Sequence, residues 1–254
     1  MNIAQLNKLR WILIGLLLAT ANFIQAQNAT EIVKKADSHM QGKSSQGIMI
    51  MTIVRPKWRR TVEMKSWSKG KGFSLILIKK PVRDKGSGYL KRGKEMWNWL
   101  PKVGRVVKMP PSMMNQSWMG SDFTNDDLVR QSSIVVDYTH KILGSETLEG
   151  RDCYKVLLTP KPNAPVVWGK VEMWISKKDY LQLQSKMYDE DGYLVNTMRG
   201  SKIKNLGGRV LPSYMEMIPA DKPNQKTVLE YKQMVFNKPI SDGFFSVQNM
   251  KRVN

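Results

Sequence analysis

The chain has 254 residues, with 41 Lys and Arg against 21 Asp and Glu, a net charge of +20 and a single cysteine. One cysteine excludes an internal disulfide, and so large a positive excess calls for an anionic partner or surface. Lys8 and Arg10 precede an apolar run from Trp11 to Ala21, and Ala26 offers a small residue for cleavage, which predicts a signal peptide over 1–26. The run is shorter than the roughly 20 apolar residues of a membrane span. The mature part, 27–254, is expected to be one periplasmic domain, and removal of Lys8 and Arg10 leaves it at +18. That compartment argues against nucleic acid as the anionic partner. No cysteine stands at the cleavage point, so anchoring by a lipobox is not expected.

In chain order, Asn28 with Glu31 resembles a capping box, and Ile32, Val33, Ala36 and Met40 share one helical face ending at Gln41-Gly42. Strands are expected from there on: 47–54, 59–67, 73–78, 89–90, 96–100 and 103–109, separated by Gly, Pro and Lys-Gly turns. The segment 110–130 breaks the pattern. It crowds Met113, Met114, Trp118 and Met119 without β alternation, then offers a short helix at Asn125–Arg130 capped by Ser121 or Thr124. It reads as a loop-and-helix flap. Strands resume at 133–143, 151–160, 166–176, 180–188, 193–198, 201–206, 209–218 and 227–236. The alternation over Leu181–Met187 predicts one wet and one dry face. The fold class is mainly β: a single curved antiparallel sheet forming an incomplete β-barrel of about ten to eleven strands, with an N-terminal helix and the flap.

The residues offer no catalytic constellation, so an enzyme is not expected. His39 and His140 lack partners at ligand spacing, so no metal is expected either. Gly86-Ser87-Gly88 lacks the spacing of a phosphate loop, no Gly-x-Ser-x-Gly elbow occurs, and no cofactor is implied. Asp189, Glu190 and Asp191 suit a turn, and Asp126-Asp127 suits a helix start. Cys153 reads as a buried, inert strand residue.

Binding chemistry is present instead. Ile48-Met49-Ile50-Met51 and Phe73–Ile78 are apolar on both strand faces, which requires apolar material on both sides. Methionine is plentiful, 17 in all, and its flexible thioether suits surfaces that accept varied apolar guests. The candidate acyl-chain-binding residues are Met49, Met51, Val62, Met64, Leu75, Leu77, Trp97 and Trp99 on the sheet. Met113, Met114, Trp118, Met119 and Phe123 are the candidates in the flap. At roughly 0.8 kcal/mol per CH₂, a long acyl chain gains on the order of 10 kcal/mol gross on such a surface. From Arg55 to Lys108 there are seventeen Lys and Arg against three acids, interleaved with Trp58, Trp67, Trp97 and Trp99. That mixture suits a membrane–water interface. Arg55, Lys57, Arg59, Arg60, Lys102, Arg105 and Lys108 are the candidate docking residues for an anionic membrane or a partner protein.

Several stretches, in this order and spacing, resemble the LolA-like family of periplasmic outer-membrane lipoprotein-sorting proteins, in a divergent branch. They are Met96-Trp97-Asn98-Trp99-Leu100-Pro101, Gly120-Ser121-Asp122-Phe123 with Asp127-Leu128, Leu148–Tyr154, Val171–Ile175 and Tyr188–Gly192. The resemblance implies an incomplete antiparallel barrel, open on one side and covered by helices, with no catalytic residues. It also implies an apolar cavity that takes lipoprotein or lipid acyl chains from an inner-membrane transporter and passes them to an outer-membrane acceptor. The alternative is an envelope binding or assembly module that uses the same fold with a filled core.

Overall fold

The computed structural model describes residues 29–93, 95–129 and 133–253. The expected signal segment and Asn28 lie outside them. Helix α1 (29–41) buries Ala29, Ile32, Val33 and Ala36, which recur at helical spacing. It stops at Gly42, whose φ of +67° suits a left-handed cap and whose N–H donates to the Ser38 carbonyl.

Thirteen antiparallel strands follow. The first six are β1 (Ser44–Val54), β2 (Arg59–Lys69), β3 (Phe73–Lys80), β4 (Gly88–Arg92), β5 (Glu95–Leu100) and β6 (Arg105–Lys108). After the flap come β7 (Tyr138–Leu148), β8 (Arg151–Pro160), β9 (Lys170–Ser176), β10 (Gln182–Tyr188), β11 (Leu194–Leu206), β12 (Arg209–Pro219) and β13 (Lys226–Phe236). The sheet order is β6-β5-β4-β3-β2-β1-β13-β12-β11-β10-β9-β8-β7. Each half is a meander, and pairing of β1 with β13 joins the halves at the centre. The outermost strands, β6 and β7, do not pair with each other in this order, so the curved sheet stays open.

The flap is the connection between these two border strands. It holds two 3₁₀ turns, Pro111–Met113 and Trp118–Gly120, and helix α2 (Asn125–Val129). Together with α1 it covers the inner face of the sheet. The main core lies there: Met51, Ile53, Val62, Met64, Ile78, Met173 and Ile175 are buried against Val33, Met114 and Trp118. A second cluster around Cys153, Trp174, Leu181 and Phe236 packs with Met40, and burial raises the Cys153 thiol pKa.

Four readings of the sequence need correction. The strand count is thirteen rather than ten to eleven. The expected strand at 133–143 starts later, because Ser133 and Asp137 bond their own backbone: Ser133 N–H donates to the Asp137 carboxylate and Asp137 N–H to the Ser133 carbonyl. The expected strands 193–198 and 201–206 are one strand, β11. The alternation over Leu181–Met187 does not mark one continuous dry face. A register shift between Gln182 and Gln184 turns Leu181 and Leu183 into one cluster and Met187 into another.

The C-terminus adds what periodicity did not reveal. A 3₁₀ turn (Asp242–Phe244) and helix α3 (Val247–Met250) pack on the outer face of β2–β4. Phe245 and Met250 there bury Trp67, Leu75, Leu77 and Leu90. Strand β3 is apolar on both faces because it is covered on both: Ile76 and Ile78 face inward, Leu75 and Leu77 outward. Of the large apolar side chains of β1, Met49, Met51 and Ile53 are buried, while Ile48 and Ile50 are half-exposed.

Candidate functional site

The inner face holds a cavity of about 320 Å³ beneath α1 and the flap. That volume is at the lower end of roughly 300–1,000 Å³ for small-molecule sites. Its apolar lining includes Met49, Ile76, Phe123, Leu128, Met173, Met187, Met198, Met215, Met217 and Leu229. Strand register explains the arrangement. Gly200 pairs with Met215, Met215 with Leu229, Leu229 with Met51, and Met51 with Val62. A hydrophobic belt thus crosses five strands, and Met198 opposite Met217 widens it. Gly200 leaves the room: a Cβ there would sit 3.1 Å from the Met215 sulfur.

The flap is held on this face by a buried ion pair. Arg55, at the end of β1, donates from Nη1 to Asp122 Oδ2 at 2.9 Å and from Nη2 to Oδ1 at 3.0 Å. The Thr227 hydroxyl donates to Asp122 Oδ2 at 2.7 Å and accepts from the Asp122 N–H at 3.0 Å. Arg55 also donates to the Gly120 carbonyl, and Arg60 to the Met119 carbonyl. The Arg55 and Asp122 side chains are 13% and 6% exposed. Such a bidentate pair fixes orientation as well as contributing energy. Trp118, fully buried, packs at 5.1 Å in a tilted arrangement against Tyr89, whose hydroxyl pKa burial pushes up to about 12.

Helix α2 starts with a reciprocal cap. Thr124 N–H donates to Asp127 Oδ2 at 2.8 Å, and Asp127 N–H donates to Thr124 Oγ1 at 3.1 Å. Trp168 Nε1 donates to the other Asp127 oxygen at 3.2 Å. Burial nevertheless raises the Asp127 carboxyl above the usual range, against these hydrogen bonds. This acid has the role of a cap. Among the described residues, no group of three or more His, Cys, Asp or Glu is placed to hold a metal ion.

The sequence-derived candidates separate into groups. Met49 and Phe123 line the cavity. Met51, Val62, Met64, Met114 and Trp118 are buried in the core that supports it, with Met113 and Met119 half-buried against them. Leu75, Leu77, Trp97 and Trp99 are not brought to the cavity. They lie on the outer face with Phe245, where Lys108 and Lys251 approach the Trp97 and Trp99 rings. Of the basic candidates, Arg55 and Arg60 are engaged by the flap. Lys57 and Arg59 are exposed on either side of Trp58, itself 51% exposed. Lys102, Arg105 and Lys108 are exposed at the β6 border, Lys108 paired with Glu95. Met173, Met187, Met198, Met215 and Met217 were not among the candidates. The alternation in Ser213-Tyr214-Met215-Glu216-Met217 carried the signal for two of them.

Three solved structures share this architecture. A DUF1329 family protein from Desulfovibrio piger matches with a TM-score of 0.80 and 24% identity, covering 89% of this chain and 99% of its own. A domain from Vibrio parahaemolyticus, named for outer membrane lipoprotein sorting, matches at 0.79 and 21%, covering 89% and 100%. A LolA superfamily protein from Nitrosomonas europaea matches at 0.75 and 24%, covering 87% and 98%. No match was found among curated proteins. The fold is LolA-like, and the chain belongs to the family whose model, described as "Uncharacterized protein", matches residues 70–252.

Proposed function

We propose that the protein is an exported, non-enzymatic carrier of the cell envelope that holds the acyl chains of a lipid or lipoprotein in its inner cavity. The observation that carries this reading is the methionine-lined cavity of about 320 Å³ beneath a flap held by the Arg55–Asp122 pair. A flexible thioether lining accepts chains of differing shape without a fixed pocket. The LolA-like fold and the lipoprotein-sorting name of one structural neighbour support the same reading. The apolar run before Gln27 supports export to the periplasm by a cleaved signal peptide. Exchange with an inner-membrane transporter and an outer-membrane acceptor completes the role. The exposed Lys57, Trp58, Arg59, Lys102 and Arg105 are the surface offered to those membranes.

The test is uptake. Purified mature protein is expected to carry solvent-extractable lipid and to bind a fluorescent fatty acid. Met173→Trp combined with Met215→Trp fills the lining and is expected to lower that affinity at least about tenfold, with the circular dichroism spectrum retained. A folded double variant that binds the probe as the parent does contradicts the cavity assignment.

A further inference from the structure

In the first half of the sheet, antiparallel order sets successive connections alternately at two rims. The β1–β2, β3–β4 and β5–β6 connections (55–58, 81–87 and 101–104) fall on one rim, and the β2–β3 and β4–β5 connections (70–72 and 93–94) on the other. The two rims differ in chemistry. The second is glycine and lysine alone. On the first, each connection turns one large apolar side chain outward: Trp58 is 51% exposed, Val82 86% and Val103 62%. Exposed cations accompany each of them: Lys57 and Arg59, Arg83 and Lys85, Lys102 and Arg105. Arg83 pairs with Asp84, the one acid in the three connections.

A single exposed valine is ordinary at a protein surface. Turn geometry favours Gly, Pro, Asn and Asp, so it does not account for an apolar tip on three successive turns of one rim and none on the other. The tips are also held in place. The Arg55 N–H donates to the Trp58 carbonyl at 2.9 Å, and the Arg55 guanidinium, fixed by Asp122, lies 5.8 Å from the centre of the indole ring. The other two connections touch: a Cβ on Gly86 would sit 3.5 Å from Pro101. Projecting tips on separate turns suit a soft partner, which yields to each of them, whereas a folded protein would have to match all three. In a bilayer, Trp and Val enter at headgroup depth and Lys and Arg meet the phosphates.

We propose that this rim inserts into the interface of a bilayer containing anionic phospholipid, with Trp58, Val82 and Val103 as the penetrating side chains. The proposal rests on the membrane-docking part of the carrier reading. It adds penetration, the third turn and a fixed orientation of the sheet on the membrane. None of the three connections lines the cavity, so insertion and cavity binding are separable.

Site-specific labelling tests it. Val82→Cys and Val103→Cys, each carrying an environment-sensitive fluorophore, are mixed with vesicles of equal parts phosphatidylcholine and phosphatidylglycerol. Gly72→Cys on the opposite rim, where an added Cβ meets open space, is the control. The native Cys153 is fully buried and stays unlabelled. A blue shift is expected at 82 and 103 and none at 72. Replacing Trp58, Val82 and Val103 together with Ser is expected to weaken vesicle binding at least about tenfold, since one Trp and two Val no longer leave water. Vesicle binding without a shift at 82 or 103 overturns insertion and leaves charge-driven docking in place. A shift at 72 equal to theirs overturns the orientation. A parent that ignores the vesicles removes membrane docking altogether and places an acidic protein surface against the rim. Shifts at 82 and 103 in a protein that takes up no fluorescent fatty acid support the rim and contradict the carrier reading alone.

Discussion

Arg55 and Asp122 close the flap with two parallel hydrogen bonds in a poorly solvated place. Removing one member of such a pair leaves a buried charge and costs about 3–5 kcal/mol. Arg55→Leu is therefore expected to free the flap locally: faster proteolysis within 110–129 and stronger binding of a hydrophobic dye, with the sheet signal unchanged. A flap as protected as the parent's contradicts the latch. His140 ties α1 to the segment before β7. Its Nε2–H donates to the Ile134 carbonyl at 2.7 Å, which leaves Nδ1 to accept from the Thr30 hydroxyl at 3.1 Å. Burial lowers its pKa from the ordinary 6.5. Below 6.5 the unfolded chain takes up the proton first. The stabilisation is thus complete above that value and is lost as pH falls through the depressed folded value. His140→Gln is expected to flatten the fall in urea-unfolding stability between pH 7 and pH 5. An unchanged slope removes His140 as its source. Neither partner was legible beforehand, because Arg55 meets Asp122 from 67 positions away and His140 meets Thr30 from 110.

Most elements were legible, since β1–β3 and β6 carry β-branched residues and β4 and β5 aromatic ones, between Gly and Pro turns. What failed was local. Side-chain hydrogen bonds at Ser133 and Asp137 outweighed β propensity, and a bulge near Leu183 broke an otherwise regular alternation. The C-terminal turn and α3 are too short to show a helical period. Their effect was visible instead as the two-sided apolarity of β3, without any indication of what covers it. Phe245 is fully buried between Phe73 and Phe244. Phe245→Ala is expected to lower unfolding stability by about 3–5 kcal/mol, read as a reduced urea midpoint. A shift below about 1 kcal/mol places α3 outside the cooperative unit.

Across the molecule, positive charge and apolar binding occupy different places. The cavity draws on α1, the flap and both halves of the sheet, with its methionines mainly from β9–β13, whereas the exposed basic candidates lie at the β1–β2 turn and the β6 border. Of the cavity lining, Met49 and Phe123 were legible among the candidates; the methionines of β9–β12 were not, because they reach the first half of the sheet only through the pairing of β1 with β13. Replacing Lys57, Arg59, Lys102 and Arg105 with Glu is expected to abolish binding to vesicles containing anionic phospholipid while leaving fatty-acid uptake unchanged. Parent binding is expected to weaken as salt rises, since contacts at an exposed surface are screened. Vesicle binding that survives the charge reversal assigns docking to another surface.

The covering segment starts where β6 stops and ends where β7 starts. It is therefore moored at both margins of the sheet. Among the described residues, β6 and β7 each pair with a strand on one side only, which makes both margins the kind of edge onto which another chain's strand can add. A partner that extends the sheet at either margin would therefore meet the cover at its point of attachment.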